Sequence, residues 1–294
     1  MAEQLPSLSE SDLRFIQEAA DYLENPRLLM RIANLVGKPA EALLQRLPQS
    51  AQQTIGEATH TALETGLRWA ARTLPNPGPQ ADAIELPPGA RAVAQRLLGQ
   101  HGHTAVAATT GAVGGFFGFA GMTFEAPATT MVMLRSIARV ANEEGFRLED
   151  PQTRIHCLAV LGIGAETLSS MESTYLASRI GLALAMRDAA AFMAKHTAGE
   201  VAHALSKGTA PVLVRLINRI AAPFQIVLSQ KFAAQSVPVA GAAMGALINA
   251  AFTDHFNRVA RYHFGILRLE NQYGKELVQS AYARSVAQRR QVIE

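Results

Sequence analysis

Residues 124–154 read "FEAPATTMVMLRSIARVANEEGFRLEDPQTR". Pro127 near the start has its φ preset for a first helical turn and no N–H to leave unpaired there. Glu125 lies at the positive end of the helix dipole, and Gly145 supplies the left-handed residue that closes a helix. Asp150 followed by Pro151 is then an N-cap and first-turn pair that opens a second helix, running through "IHCLAVLGIGA". Two helices joined by a short turn predict an all-α fold, and the rest of the chain agrees.

Upstream, "SLSESDLRFIQEAADYLEN" (7–25) has Ser9 three residues before Asp12, close to a capping box, with Leu13, Ile16, Ala20 and Leu23 at helical spacing. "RLLMRIANLVG" (27–37) ends on a glycine. A longer amphipathic run from Gln49 to Leu74 carries Ile55, Ala58, Ala62, Thr65 and Trp69 on one side. "PNPGPQADAIELPPG" (75–89) holds five prolines and two glycines, which no helix tolerates. The expected organisation is therefore an N-terminal helical arm over 1–74, a Pro-rich linker over 75–89, and a helical body over 90–294. Downstream, a long helical region runs from Thr167 to Ser206, and Pro211, Pro223 and Pro238 mark helix starts or kinks.

The uncharged run from Thr104 to Phe124 is long enough to span a bilayer, but it carries glycines at 111, 114, 115, 118 and 121. Each glycine costs about 1 kcal/mol against alanine inside a helix, which close approach by a second helix offsets. Gly111, Gly115 and Gly118 supply such a face. Gly241, Gly245 and Asn249 form a second small-residue row that could meet it. A membrane span, a buried helix pair, and a core element that also meets a bilayer all fit this run.

Composition bounds the function. The chain has 294 residues, 49% hydrophobic and only 17% charged, with net charge +3. It is apolar for a soluble protein. No basic block with interleaved aromatics is present, so nucleic acid is not an expected partner. Cys157 is the only cysteine, which suits a reducing compartment, and the polar N-terminus is unlike a secretory signal. The zinc-protease, nucleophile-elbow, phosphate-loop and dinucleotide motifs are all missing. His101, His103, His156, His255 and His263 lack metal-ligand spacing; no metal and no cofactor is expected. Asp254 and Arg258 are an i, i+4 pair.

Two blocks carry a resemblance. Residues 124–154 resemble the signature segment of the EcsC protein family: an acidic residue, x, proline, a Thr-rich helix bearing an arginine, a glycine, then Asp-Pro and another arginine. "VPVAGAAMGALINAAFTDHFNRVARYHFGILRLENQYG" (237–274) resembles its second block. Together they cover roughly residues 90–275 and leave the arm outside. The resemblance implies a helical fold and a bacterial setting, cytoplasmic or peripheral at the inner membrane. It also marks Glu125, Pro127, Arg135, Asp150, Pro151, Arg154, Asn249, Arg268 and Glu270 as motif positions. Arg135, Arg154, Arg268 and Glu270 are the candidate ligand- or anion-binding residues. An Arg135–Glu125 bridge would lock the two helices around Pro127.

The expected function is non-enzymatic: peripheral association with the membrane or with a membrane-protein partner such as an exporter. The partners in view are anionic lipid or a membrane protein, with a homo-oligomer left open. The alternative is a lipid- or acyl-directed hydrolase using Glu125 as general acid/base.

Overall fold

The computed structural model describes residues 8–24, 47–72, 122–165, 174–235 and 241–293. Among these residues there are nine helices and no strand. They are α1 (Glu10–Leu23), α2 (Gln49–Ala70), α3 (Met122–Glu143), α4 (Pro151–Ala165) and α5 (Thr174–Lys195). These are followed by α6 (Ala198–Lys207), α7 (Pro211–Gln235), α8 (Gly241–Tyr273) and α9 (Lys275–Ile293). The all-α expectation holds. The glycine-rich run 104–121 and the 75–89 segment lie outside the described residues, so neither Gly111, Gly115 and Gly118 nor their pairing with Gly241 and Gly245 can be placed.

The helix ends follow local chemistry. Ser9 caps α1 by accepting from the Asp12 amide at 3.1 Å. Asp150 Oδ1 accepts from the Gln152 amide at 2.9 Å and opens α4. Gly145, at φ +89°, ends α3: Phe146 N–H donates to Ala141 O and Gly145 N–H to Asn142 O, a Schellman closure. Two boundaries differ from the sequence reading. α3 starts at Met122, so Pro127 sits inside it instead of in its first residues. The region 167–206 is not one helix: it breaks after Lys195, and Thr197 with Glu200 forms a full capping box that starts α6. The Thr-x-x-Glu signal was present in the sequence but masked by continuous helical composition.

α4 is the centre. From Ile155 to Ile163 every residue except His156 is buried. The helix is apolar all round, which only full enclosure can satisfy. α2, α3, α5, α7 and α8 all pack on it. Buried side chains of α1 and α2 (Ile16, Ala19, Ile55, Leu63, Leu67) belong to the same apolar cluster as those of α3 to α9. The first helix is also tied to the last two by polar contacts. Tyr273 donates to Asp12 at 2.9 Å, Tyr282 donates to Glu24 at 2.8 Å, and Arg289 pairs with Asp21.

Among the described residues, close approach involves glycines of α4. A Cβ on Gly164 would lie 2.9 Å from Phe256 Cε1, a fully buried ring. A Cβ on Gly162 would meet Ile220 at an ordinary 3.5 Å. Gly164→Ala is therefore expected to destabilise the protein by about 1–3 kcal/mol through overpacking. Gly162→Ala, which gains up to about 1 kcal/mol of helix propensity, should be neutral or stabilising. Chemical denaturation of the two variants checks the contrast.

Candidate functional site

Polar side chains on α4 and α8 have to find partners inside an apolar bundle, because an unpaired buried polar group costs about 1–3 kcal/mol. Two networks result. In the first, His255 (α8) donates Nε2–H to Gly164 O at 2.7 Å. A carbonyl can only accept; in a neutral ring Nδ1 of His255 is then the acceptor, and Tyr22 Oη–H donates to it at 3.1 Å. This network joins α1, α4 and α8.

The second is a chain of three side chains. Tyr175 Oη (α5) lies 3.1 Å from His263 Nδ1 (α8), and His263 Nε2 lies 2.9 Å from His156 Nδ1 (α4). Burial pushes the His156 imidazole down to about 4, and the Arg179 cation works in the same direction. Burial also holds His263 well below its ordinary 6.5, helped by His156 and Arg179. Both rings are neutral at pH 7. A neutral chain has two orderings. Either Tyr175 donates to His263, which donates to His156, leaving Nε2–H of His156 as the terminal donor, or every bond reverses and Nε2 becomes the terminal acceptor.

Beside this chain, Arg179 makes a two-pronged bridge to Glu270, at 2.8 and 2.7 Å, with side chains only 13% and 7% exposed. Burial opposes the guanidinium charge, but Tyr175 and Glu270 hold it in place and raise its pKa. Glu270 also accepts from Gln279 at 3.2 Å. Removing either partner would strand a buried charge, at about 3–5 kcal/mol.

Two clefts of about 450 Å³ each open on either side of His156. Gln152, His156 and Leu267 line both. The first runs between the α3–α4 turn and α8, past Arg147, Asp150 and the Arg268–Glu144 ion pair at 3.1 Å. The second lies between α4, α5 and α8, with apolar Ile163, Leu176, Ala183 and Met186 on its walls and the Arg179–Glu270 bridge beside them.

The anticipated site residues distribute unevenly. Arg268 borders the first cleft and Glu270 the second. Arg154 lines neither: it is buried, and its Nη1 donates to Leu148 O at 2.7 Å and Glu149 O at 3.1 Å, so it clamps the turn before α4. Burial lowers its pKa. Arg135 is exposed on α3. The Glu125 side chain, and with it the Arg135–Glu125 bridge, lies outside the described residues. Asn249 is fully buried, and its amide, like the hydroxyls of Thr129, Thr130 and Thr253, has no hydrogen-bond partner among the described residues. The Asp254–Arg258 pair forms as expected, at 3.2 Å. Cys157 is buried and its thiol pushed up by burial. Among the described residues no group of three His, Cys, Asp or Glu side chains could hold a metal.

Sequence reasoning missed the His156–His263 pair. It weighed His156, His255 and His263 only for metal-ligand spacing, whereas His255 and His263 belong to different hydrogen-bond networks. The usable signal was His156 itself, the one titratable imidazole on a helix otherwise apolar on every side.

A central buried helix, a polar chain reaching a cleft, and no strand among the described residues define an all-α protein with an amphipathic cleft at its centre. The chain belongs to the EcsC protein family, matching it over residues 10–269. The match therefore begins in α1, well before the residue-90 start inferred from the two sequence blocks. Searches of curated proteins and of solved structures each found no match.

The desolvated imidazoles of half-buried His156 and buried His263 make stability depend on pH. In the unfolded chain each takes up its proton near its ordinary value of 6.5; folded, His156 does so only near 4. Between these values the unfolded state binds more protons, so this contribution is complete above pH 6.5 and is lost as pH falls toward 4. The slope approaches about 1.4 kcal/mol per pH unit for each ring. Denaturant midpoints at pH 7.5, 6 and 5 should fall accordingly, and His156→Phe should show a shallower fall than the wild type.

Proposed function

We propose that the protein binds peripherally to an anionic membrane through the outer faces of α5 and α7. The observation that carries this is the exposure of large apolar side chains along one stretch of α5 and the neighbouring face of α7. Ile180 is 74% exposed and Leu184 55%, with Val214 and Ile226 of α7 also exposed. From Ala177 to Leu184 the exposed positions of α5 are all uncharged. An exposed apolar patch of this kind marks a surface that calls for cover.

The charges around this patch favour one kind of cover. Arg219 reaches Gly181 O at 3.2 Å, and Arg215 lies 3.7 Å from Asp188, which sets the two faces side by side. Arg187, Arg215 and Arg219 are exposed at this surface, against the single half-buried Asp188. Apolar side chains flanked by arginines match the acyl boundary and the phosphate layer of an anionic leaflet. Each arginine near such a surface contributes about 1 kcal/mol. Pro211–Ala234 of α7 is also long and apolar enough to cross a membrane; here it packs on α2, α4 and α5, as a core helix does.

Flotation with phosphatidylglycerol-containing vesicles and with neutral phosphatidylcholine vesicles tests this reading. The protein should float with the anionic vesicles only, and an Ile180→Asp/Leu184→Asp variant should stay at the bottom. Wild-type protein that stays at the bottom with both vesicle types would end the proposal.

A further inference from the structure

The second cleft and the membrane-facing surface share residues: Ile180 and Arg187 belong to both. The cleft is thus a continuation of the outer apolar face into the interior, and what it holds can be read from its lining. Its volume of about 450 Å³ falls within the range of small-ligand sites, about 300–1,000 Å³. One part is hydrocarbon, from Leu176, Ala183, Met186 and Leu267. The other is polar and converges on His156.

Charge selects the sign of the ligand. Among the lining charges, Arg179 and Glu270 neutralise each other in their two-pronged bridge. Lys275 and Arg187 remain on the rim, Arg187 lying 3.7 Å from Asp188, which it shares with Arg215, and there is no second carboxylate among the lining residues. The hydrogen-bond chain adds a directed donor. When Tyr175 donates to His263 and His263 to His156, the chain ends on Nε2–H of His156, a residue that lines the cleft. An anion on the cleft side selects this ordering over the reverse, which would present a lone pair. The site offers a donor without a buried positive charge, since both rings stay neutral.

We propose that this cleft binds a single-chain amphiphile with an anionic head group, a carboxylate or a phosphate monoester, whose alkyl chain lies on the apolar lining and whose head accepts a hydrogen bond from His156. The inference deepens the membrane reading, from which the ligand's route of entry follows, but binding itself needs no bilayer. His156 is the residue that orients the head group, and Lys275 and Arg187 contribute charge at the rim.

Calorimetric titration of the full chain in lipid-free buffer tests it, with probes below their aggregation concentrations: dodecanoate, dodecanoyl lysophosphatidate and dodecyltrimethylammonium. Saturable one-to-one binding of an anionic probe, with none of the cationic one, is the expected result. Binding of dodecanoate alone identifies a free acid as the ligand type, and binding of the lysophosphatidate alone a phospholipid product; either supports the site. Ala183→Trp fills the cleft from an exposed position and should weaken binding at least tenfold, and Lys275→Glu several-fold. Leu184→Asp, which lies outside the cleft, should bind as the wild type does while losing vesicle flotation. No saturable binding of either anion, equal binding of the cationic probe, or an unchanged Ala183→Trp would overturn the proposal. Anion binding together with failed flotation would remove the membrane reading alone.

Discussion

The structure depends on the enclosure of α4. A helix that presents Ile155, Leu158, Val160, Leu161 and Ile163 in different directions has no side to give to water. Full burial of such side chains stabilises by about 1.5–3 kcal/mol each. That gain is available only if neighbours surround the helix, and α2, α3, α5, α7 and α8 do so. The small residues on α4 set how closely they come, most tightly where Gly164 admits the Phe256 ring. The clamp from Arg154 to Leu148 O and Glu149 O fixes the turn from which the helix starts.

The same enclosure generates the site. His156 is carried into the interior by a helix that cannot rotate it outward without exposing apolar neighbours. It pairs with His263, which pairs with Tyr175, and desolvation keeps both rings neutral. The bridge between Arg179 and Glu270 is the charged counterpart of this arrangement, joining α5 to α8 beside it. A polar chain that begins in the core and ends at a cleft is thus a consequence of packing, and the cleft lies between α4, α5 and α8.

Much of the fold was legible because its signals are local. Ser9, Asp150 and Gly145 each act within a few residues of themselves, and each does in the structure what its type and spacing imply. The break at Thr197 was legible too, but its capping box was outweighed by the apolar run around it. The site was less readable. Arg268 and Glu270, two residues apart on α8, border different clefts, and their partners Glu144 and Arg179 come from α3–α4 and α5. Arg154 stood out as an anion-ligand candidate because the family resemblance marks it; its job in the structure is to satisfy backbone carbonyls. Contacts across more than a hundred residues, such as His156 with His263, are set by which helix faces which, and no single segment encodes that.

The most direct test of this account is the protonation state of the two imidazoles in the folded protein. Nitrogen-15 spectra of histidine-labelled protein at pH 6 would resolve it, with His156→Phe assigning the His156 signals. If α4 is enclosed and the Tyr175–His263–His156 chain is intact, both rings are neutral at a pH where a solvated imidazole is mostly protonated. Protonated rings at pH 6 would place these side chains in water, and would contradict both the enclosure of α4 and the site built upon it.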